Sequence, residues 1–189
     1  MEILKERIVK DGKVISSEIL KVDSFLNHQM DPLLMKEIGD EFAKNFKDEG
    51  IEKVFTIEAS GIAVGIMAGL ALNVPVVFAK KKKPSTMDKE LLVGKVYSFT
   101  KNSFYEIIVS KEFIKEGEKI LIVGDFLAHG NAAAALAEMV ESAGAVVSGI
   151  GIVIEKGFQN GRKVLEGKGY RVNSLAIVEK MEDGKLFFK

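Results

Sequence analysis

The chain of 189 residues contains no cysteine. That absence excludes thiol nucleophiles, thiolate metal sites and disulfides, and it fits a reducing compartment without requiring one. There is no excess of charge of either sign, because 27 Lys and Arg face 27 Asp and Glu. No global basic field therefore draws the protein to nucleic acid or to an anionic membrane, and any anion has to be captured locally. The two histidines are His28 and His129. Neither stands with a second histidine or a carboxylate cluster at ligand spacing, so no resident metal is expected. The opening segment MEILKERIVKDGK is charged and amphipathic, unlike a secretory leader, and a cytoplasmic protein is expected. A membrane span is lacking too: Gly61 to Ala79 is long and apolar, but Asn73 and Pro75 interrupt it. Proline disfavours helix at the residue before it, so the segment reads as a core helix from about Ile62 to Leu72 followed by a buried strand from Val74 to Ala79.

What is present alternates. In DPLLMKEIGDEFAKNFKDEG, Asp31 is placed to cap a helix with Pro32 at its first position. Leu34, Ile38, Phe42 and Phe46 recur at helical spacing, and Gly50 is the expected stop. KVFTIE reads as a strand; KKKKPSTMDKELLVGK, charged and without apolar period, reads as a long mobile loop; KVYSFT and EIIVS read as short strands. After KILIVGD come a helix from about Asn131 to Ser142, the strand VVSGIGIVIE, a short helix beyond Phe158, and the strands YRVNSLAIVEK and KLFFK. Strands alternating with helices imply an α/β fold with a parallel sheet covered on both faces, and a length of this order suits one domain, residues 1–189.

One stretch carries chemistry. KILIVGDFLAHGNAAAAL is a buried strand, a carboxylate at Asp125, and a turn of small residues opening a helix. In open parallel sheets ligands bind beyond the carboxyl ends of the strands. Gly130 permits a close backbone approach, Ala128 and Ala132 leave room, and a helix N-terminus offers unpaired N–H donors to an anion. A phosphate fits the turn from Ala128 through His129, Gly130 and Asn131 to Ala132, with Asp125 at the rim to accept from sugar hydroxyls.

This layout resembles the phosphoribosyl diphosphate signature of the type I phosphoribosyltransferases. It departs at Gly124, where most members carry the first of two adjacent carboxylates, and at His129, where threonine or asparagine is usual. Together with SEILKVDSFLNHQMDP, EASGIA, YSFTKNS, VIEKGFQNGR and GYRVNSLA, the chain resembles the xanthine phosphoribosyltransferases from about Leu4 to Lys185. The resemblance implies a central, mainly parallel sheet flanked by helices, with a small hood built from N- and C-terminal segments. It implies transfer of 5-phosphoribosyl from its 1-diphosphate to N9 of xanthine in purine salvage, Mg²⁺ carried by the diphosphate, and a homodimer with no nucleic-acid or membrane partner. Residue by residue it points to Leu20, Asn27 and Lys156 on the purine, to residues 128–132 on the phosphate, and to Ser60, Gly61 and Lys81 on the pyrophosphate.

Taken alone, these residues allow plainer readings. Lys156 could donate to a purine oxo group while Phe158 stacks on the base, or they could be a solvated lysine and a core phenylalanine. EASGIA is as well explained by a tight turn as by a diphosphate nest. Lys80 to Lys83 read as a solvated face, and Lys80 and Lys82 compete with Lys81 for the leaving group. Asn27 and His28 could cap the next helix, and Leu20 could be core. Ala128 stands where many hypoxanthine- or guanine-using relatives carry an aspartate that accepts the base's proton. Its absence points to a more acidic base, such as xanthine. Two rivals remain at this level. One is a purine- or phosphoribosyl-diphosphate-sensing regulator on the same fold, although no basic helix-turn-helix is evident. The other is a dinucleotide oxidoreductase, whose G-x-G-x-x-G turn is absent.

Overall fold

The computed structural model describes residues 1–82, 90–98 and 102–189. Its centre is a set of near-continuous apolar strands, the pattern expected when both faces of a sheet are covered. Among the described residues, the main sheet has the order β10-β9-β8-β7-β3-β4. These strands are β3 (Lys53–Ile57), β4 (Val76–Ala79), β7 (Lys119–Leu127), β8 (Val146–Lys156), β9 (Val172–Glu182) and β10 (Lys185–Phe188). All neighbouring pairs run parallel except β10 with β9.

Alternation along each strand sends side chains to two cores. Val54, Leu121, Val123 and Val153 pack with α1 (Glu2–Asp11), α2 (Pro32–Asn45) and α3 (Ser60–Leu72) on one face. Phe55, Ile120, Ile122, Ile150 and Ile152 pack on the other with α4 (Asn131–Ser142), with Leu165 of α5 (Gly161–Gly167), and with the antiparallel hairpin of β5 (Leu91–Ser98) and β6 (Ser103–Ser110). This is the α/β architecture expected from the sequence, a mainly parallel sheet between two layers.

Local signals explain most boundaries. The Asp31 carboxylate accepts from the Leu33 and Leu34 N–H groups, with Pro32 at the first turn. The helix ends at Asn45, earlier than Gly50, because Phe46 turns out of helical geometry; Gly50, at φ 64°, instead makes the later turn into β3. Leu91 to Lys95, read from sequence as loop, are strand: their partners on β6 supply a pairing that local charge does not reveal. Of that loop reading, residues 83–89, Lys83 among them, lie outside the described residues.

The N-terminal segment adds a small antiparallel pair, β1 (Lys13–Val14) with β2 (Leu20–Lys21), and a π-helical turn over Asp23–Asn27. It is anchored to the sheet by the Met1 ammonium, which donates to the Leu175 carbonyl at 2.6 Å, and by Lys5, which donates to the Lys189 carbonyl. Arg7 ties it to α2, donating to Asp31 at 2.6 Å and lying 5.3 Å from the Phe25 ring centroid. N- and C-terminal segments thus meet, through Met1 on Leu175 and Lys5 on Lys189.

A candidate active site where two strands part

β3 continues outward to β4 on one side, while β7 continues to β8 on the other. The switch in direction between β3 and β7 is where open α/β sheets bind ligands. Pairing between these two strands stops at Phe55 and Ile122, yet β7 remains paired with β8 as far as Leu127. Gly124, Asp125 and Phe126 are therefore strand residues with one side released, rather than residues of the turn. Thr56, buried, spans the split by donating its hydroxyl to the Val123 carbonyl at 2.8 Å.

Asp125 occupies this split. Burial pushes its carboxyl above the ordinary carboxylate range; the Phe126 N–H and its own N–H, then the Ser60 hydroxyl, then the charge of Lys81 oppose that shift. Ser60 starts α3, after a turn in which the Glu58–Ala59 peptide is cis. The carboxylate of Glu58 accepts from the Lys81 backbone N–H at 2.6 Å, so the loops leaving β3 and β4 are joined. The Lys81 ammonium lies 5.8 Å from the Tyr105 ring centroid. Asp125, Ser60, Gly61 and Lys81 are thus gathered on one side of the split. Lys80 instead bridges to Ile108 through its backbone.

The turn after β7 is a cradle held from outside. Gly130 has φ 84° and precedes α4, where no side chain caps the helix. A Cβ at Gly130 would lie 3.1 Å from the Gly161 carbonyl oxygen, and one at Gly161 would lie 2.4 Å from that of Ala128. Two bare glycines therefore let α5 press against the loop, and the Gly161 N–H donates to the Ala128 carbonyl at 3.0 Å. The Asn131 amide donates to the Tyr97 carbonyl at 3.1 Å, and His129 Nδ1 stands 3.3 Å from Asn160 Oδ1. A cavity of about 230 Å³ opens on Ala128 to Ala133, walled by Val96, Tyr97, Tyr105 and Phe126. Backbone donors at a helix start, with a roomy floor of alanines, suit a phosphate.

On the far side stands Lys156, the last residue of β8. Its ammonium donates to the Glu18 carbonyl at 2.6 Å and lies 5.9 Å from the Phe126 ring centroid. Burial lowers its pKa, against a smaller opposing effect of the Glu18 carboxylate. Leu20 is buried in β2, and Asn27 is half-buried at the end of the π-helical turn, whose neighbouring helix takes its cap from Asp31 instead. Phe158 is not on the phosphate-loop cavity. It lines a separate crevice between Val14–Glu18 and Lys180–Gly184. Phe126, beside Lys156 and on the cavity wall, was hidden in the sequence because an aromatic residue extending an apolar strand reads as core. The signal available was its place directly after Asp125.

No family model matches the chain. Against curated proteins it is 55% identical to the xanthine phosphoribosyltransferase of Oceanobacillus iheyensis, over 100% of this chain and 97% of that protein. It is likewise 55% identical to the xanthine phosphoribosyltransferase of Clostridium novyi, over 100% of both. Among solved structures, adenine phosphoribosyltransferase from Rhodothermus marinus superposes with a TM-score of 0.76 at 23% identity, covering 94% of this chain and 100% of that one. The enzyme of the same name from Thermoanaerobacter pseudethanolicus gives 0.68 at 28% identity, covering 78% and 81%. With more than half of its residues matched over the full length of such relatives, the chain belongs to the xanthine phosphoribosyltransferase family, built on the type I phosphoribosyltransferase fold.

Proposed function

We propose that the protein transfers the 5-phosphoribosyl group of 5-phosphoribosyl 1-diphosphate to N9 of xanthine, giving xanthosine 5'-monophosphate and pyrophosphate in purine salvage. The observation that carries this reading is the full-length identity to proteins of that name; the small-residue turn from Ala128 to Ala132, with Lys156 near Phe126 on its cavity wall, supports it.

In this reading the N–H groups of Ala128 to Ala132 hold the 5-phosphate, and Asp125 accepts from the ribose hydroxyls. The Ser60–Gly61 turn and Lys81 receive the diphosphate. Lys156 donates to an oxo group of the base, while Leu20, Asn27 and Phe126 form its surroundings. Breaking the bond at the anomeric carbon places positive character on the ribose and negative charge on the departing diphosphate. Positioning and charge stabilisation are then the main tasks of these residues. Among the described residues no group of three or more His, Cys, Asp or Glu converges on one point. Mg²⁺ would arrive with the diphosphate, where it would neutralise the leaving group; Asp125, at the strand split, is the carboxylate placed to face it.

We further propose that residues 1–189 act as one domain, in the cytoplasm and as a homodimer. None of the described helices is long and apolar enough to cross a membrane. The deciding experiment is pyrophosphate release with 5-phosphoribosyl 1-diphosphate, Mg²⁺ and each purine base in turn. Xanthine should give the highest kcat/KM, and a higher value with hypoxanthine or adenine would overturn the assignment.

A further inference from the structure

The segment VIEKGFQNGR contributes more than Lys156. Glu155, one residue before it, is 3% exposed, and its carboxylate is a buried charge that needs compensation. Arg162, in the first turn of α5, supplies it through Nε to Oε1 at 2.9 Å and a terminal nitrogen to Oε2 at 2.6 Å. The same nitrogen reaches the Ser174 hydroxyl at 3.2 Å, and the other donates to the Glu166 carboxylate at 2.9 Å and the Val172 carbonyl at 3.1 Å. Ser174 also donates to Glu155. The guanidinium fork is thus engaged on every nitrogen, with partners on β8, on β9 and within α5.

This clamp has two outputs. Through Glu155 it fixes the end of β8, which carries Lys156. Through its neighbour Gly161 it fixes the turn that donates to the Ala128 carbonyl and packs on Gly130. We propose that Arg162, with Glu155 and Ser174, is a positioning unit that sets the spacing between the purine side and the phosphate loop, and hence the approach of N9 to the anomeric carbon. The proposal rests on the transferase reading. In this proposal the unit acts through Lys156 and residues 128–130 and not by contact with substrate.

Arg162→Lys keeps the charge but loses the planar fork, so it separates geometry from compensation. Transfer kinetics with xanthine, calorimetric binding of 5-phosphoribosyl 1-diphosphate alone, and thermal unfolding are measured on the wild-type protein and this variant. A displacement of the order of 1 Å between reacting groups can cost about a hundredfold. The expected result is a fall in kcat of at least about tenfold, with the affinity for 5-phosphoribosyl 1-diphosphate changed by less than about threefold. An unchanged kcat with lowered thermal stability would make the clamp structural and overturn the proposal. A loss confined to KM would overturn it equally. If Arg162→Lys does not fold, Ser174→Ala, which removes one hydroxyl, is judged by the same criterion with a smaller fall in kcat. Wild-type protein inactive with every base would refute the transferase reading and this inference together, whereas active wild type with an unaltered variant refutes the inference alone.

Discussion

The Lys156 ammonium donates to the main-chain carbonyl of Glu18 at 2.6 Å, joining the end of β8 to the tip of the β1–β2 pair. A donor on the proposed purine side thus already has an acceptor from the N-terminal segment. The ammonium carries three N–H donors, so a purine oxo group can take one of the other two beside this carbonyl or displace it.

Lys156→Ala should therefore weaken xanthine binding while leaving 5-phosphoribosyl 1-diphosphate affinity near that of the wild type. A hydrogen bond to a charged group contributes about 1.5–3 kcal/mol, or roughly a tenfold to hundredfold change in Kd. Equal losses for both substrates in calorimetric titrations would contradict the assignment.

Asp125 couples binding to stability with a definite sign. Burial raises its folded-state pKa above the unfolded value of about 3.9. The folded chain consequently holds the proton more tightly than the unfolded chain. The cost of the charged form is fully present above the folded pKa and is relieved as pH falls through it towards the unfolded value. Asp125→Asn should raise the Tm at neutral pH, and this gain should shrink as pH approaches about 4. Asp125→Ala should lose about 1.5–3 kcal/mol of 5-phosphoribosyl 1-diphosphate affinity, the contribution of a charged acceptor. Near-native affinity would mean that the ribose lies elsewhere.

The order of helices and strands was legible because the apolar periods of α2, β3, α4 and β8 agree with their packing. Asp31, Pro32 and the small residues after Leu127 announce their positions through local chemistry. Three features were not legible. The hairpin of β5 and β6 begins in a charged stretch whose partner lies on β6, and such pairing leaves little trace in one strand alone. The release of β7 from β3 beyond Ile122 depends on topology, so the strand reads as ending at Asp125, whereas it runs on to Leu127. The clamp of Glu155 with Arg162 and Ser174 joins residues on three elements, and neither pattern nor spacing brings them together.

Lys81 lies where its backbone is fixed by Glu58 and its charge acts on Asp125. Negative charge on the leaving diphosphate grows in the transition state, so a cation that meets it contributes more there than in the ground state. Lys81→Ala should lower kcat more than it raises the KM for 5-phosphoribosyl 1-diphosphate. Steady-state kinetics at saturating xanthine decide this, and an unchanged kcat would return Lys81 to a solvated surface. Lys80→Ala and Lys82→Ala serve as comparisons for the competing lysines.

Gly61 has two possible reasons to be glycine, and they can be separated. A Cβ there would lie 2.2 Å from the Thr56 hydroxyl oxygen, which is already committed to the Val123 carbonyl. Packing alone therefore demands a bare residue at the start of α3, whatever the diphosphate requires. Gly61→Ala should destabilise the fold by about 1–3 kcal/mol, the usual range for overpacking. It should also disturb Ser60 and its contact with Asp125. Thr56→Ala removes the obstructing hydroxyl at the expense of the bond across the split. The double variant should accordingly be less destabilised than the sum of the two single changes. Residues in contact couple by about 0.5–3 kcal/mol, whereas additivity to within about 0.5 kcal/mol would show that the clash relaxes elsewhere. Urea unfolding measures this coupling, and calorimetry on the same proteins reads the function. If affinity for 5-phosphoribosyl 1-diphosphate returns together with stability in the double variant, Gly61 acts through packing. If stability returns and affinity does not, its backbone needs the open space for the diphosphate itself.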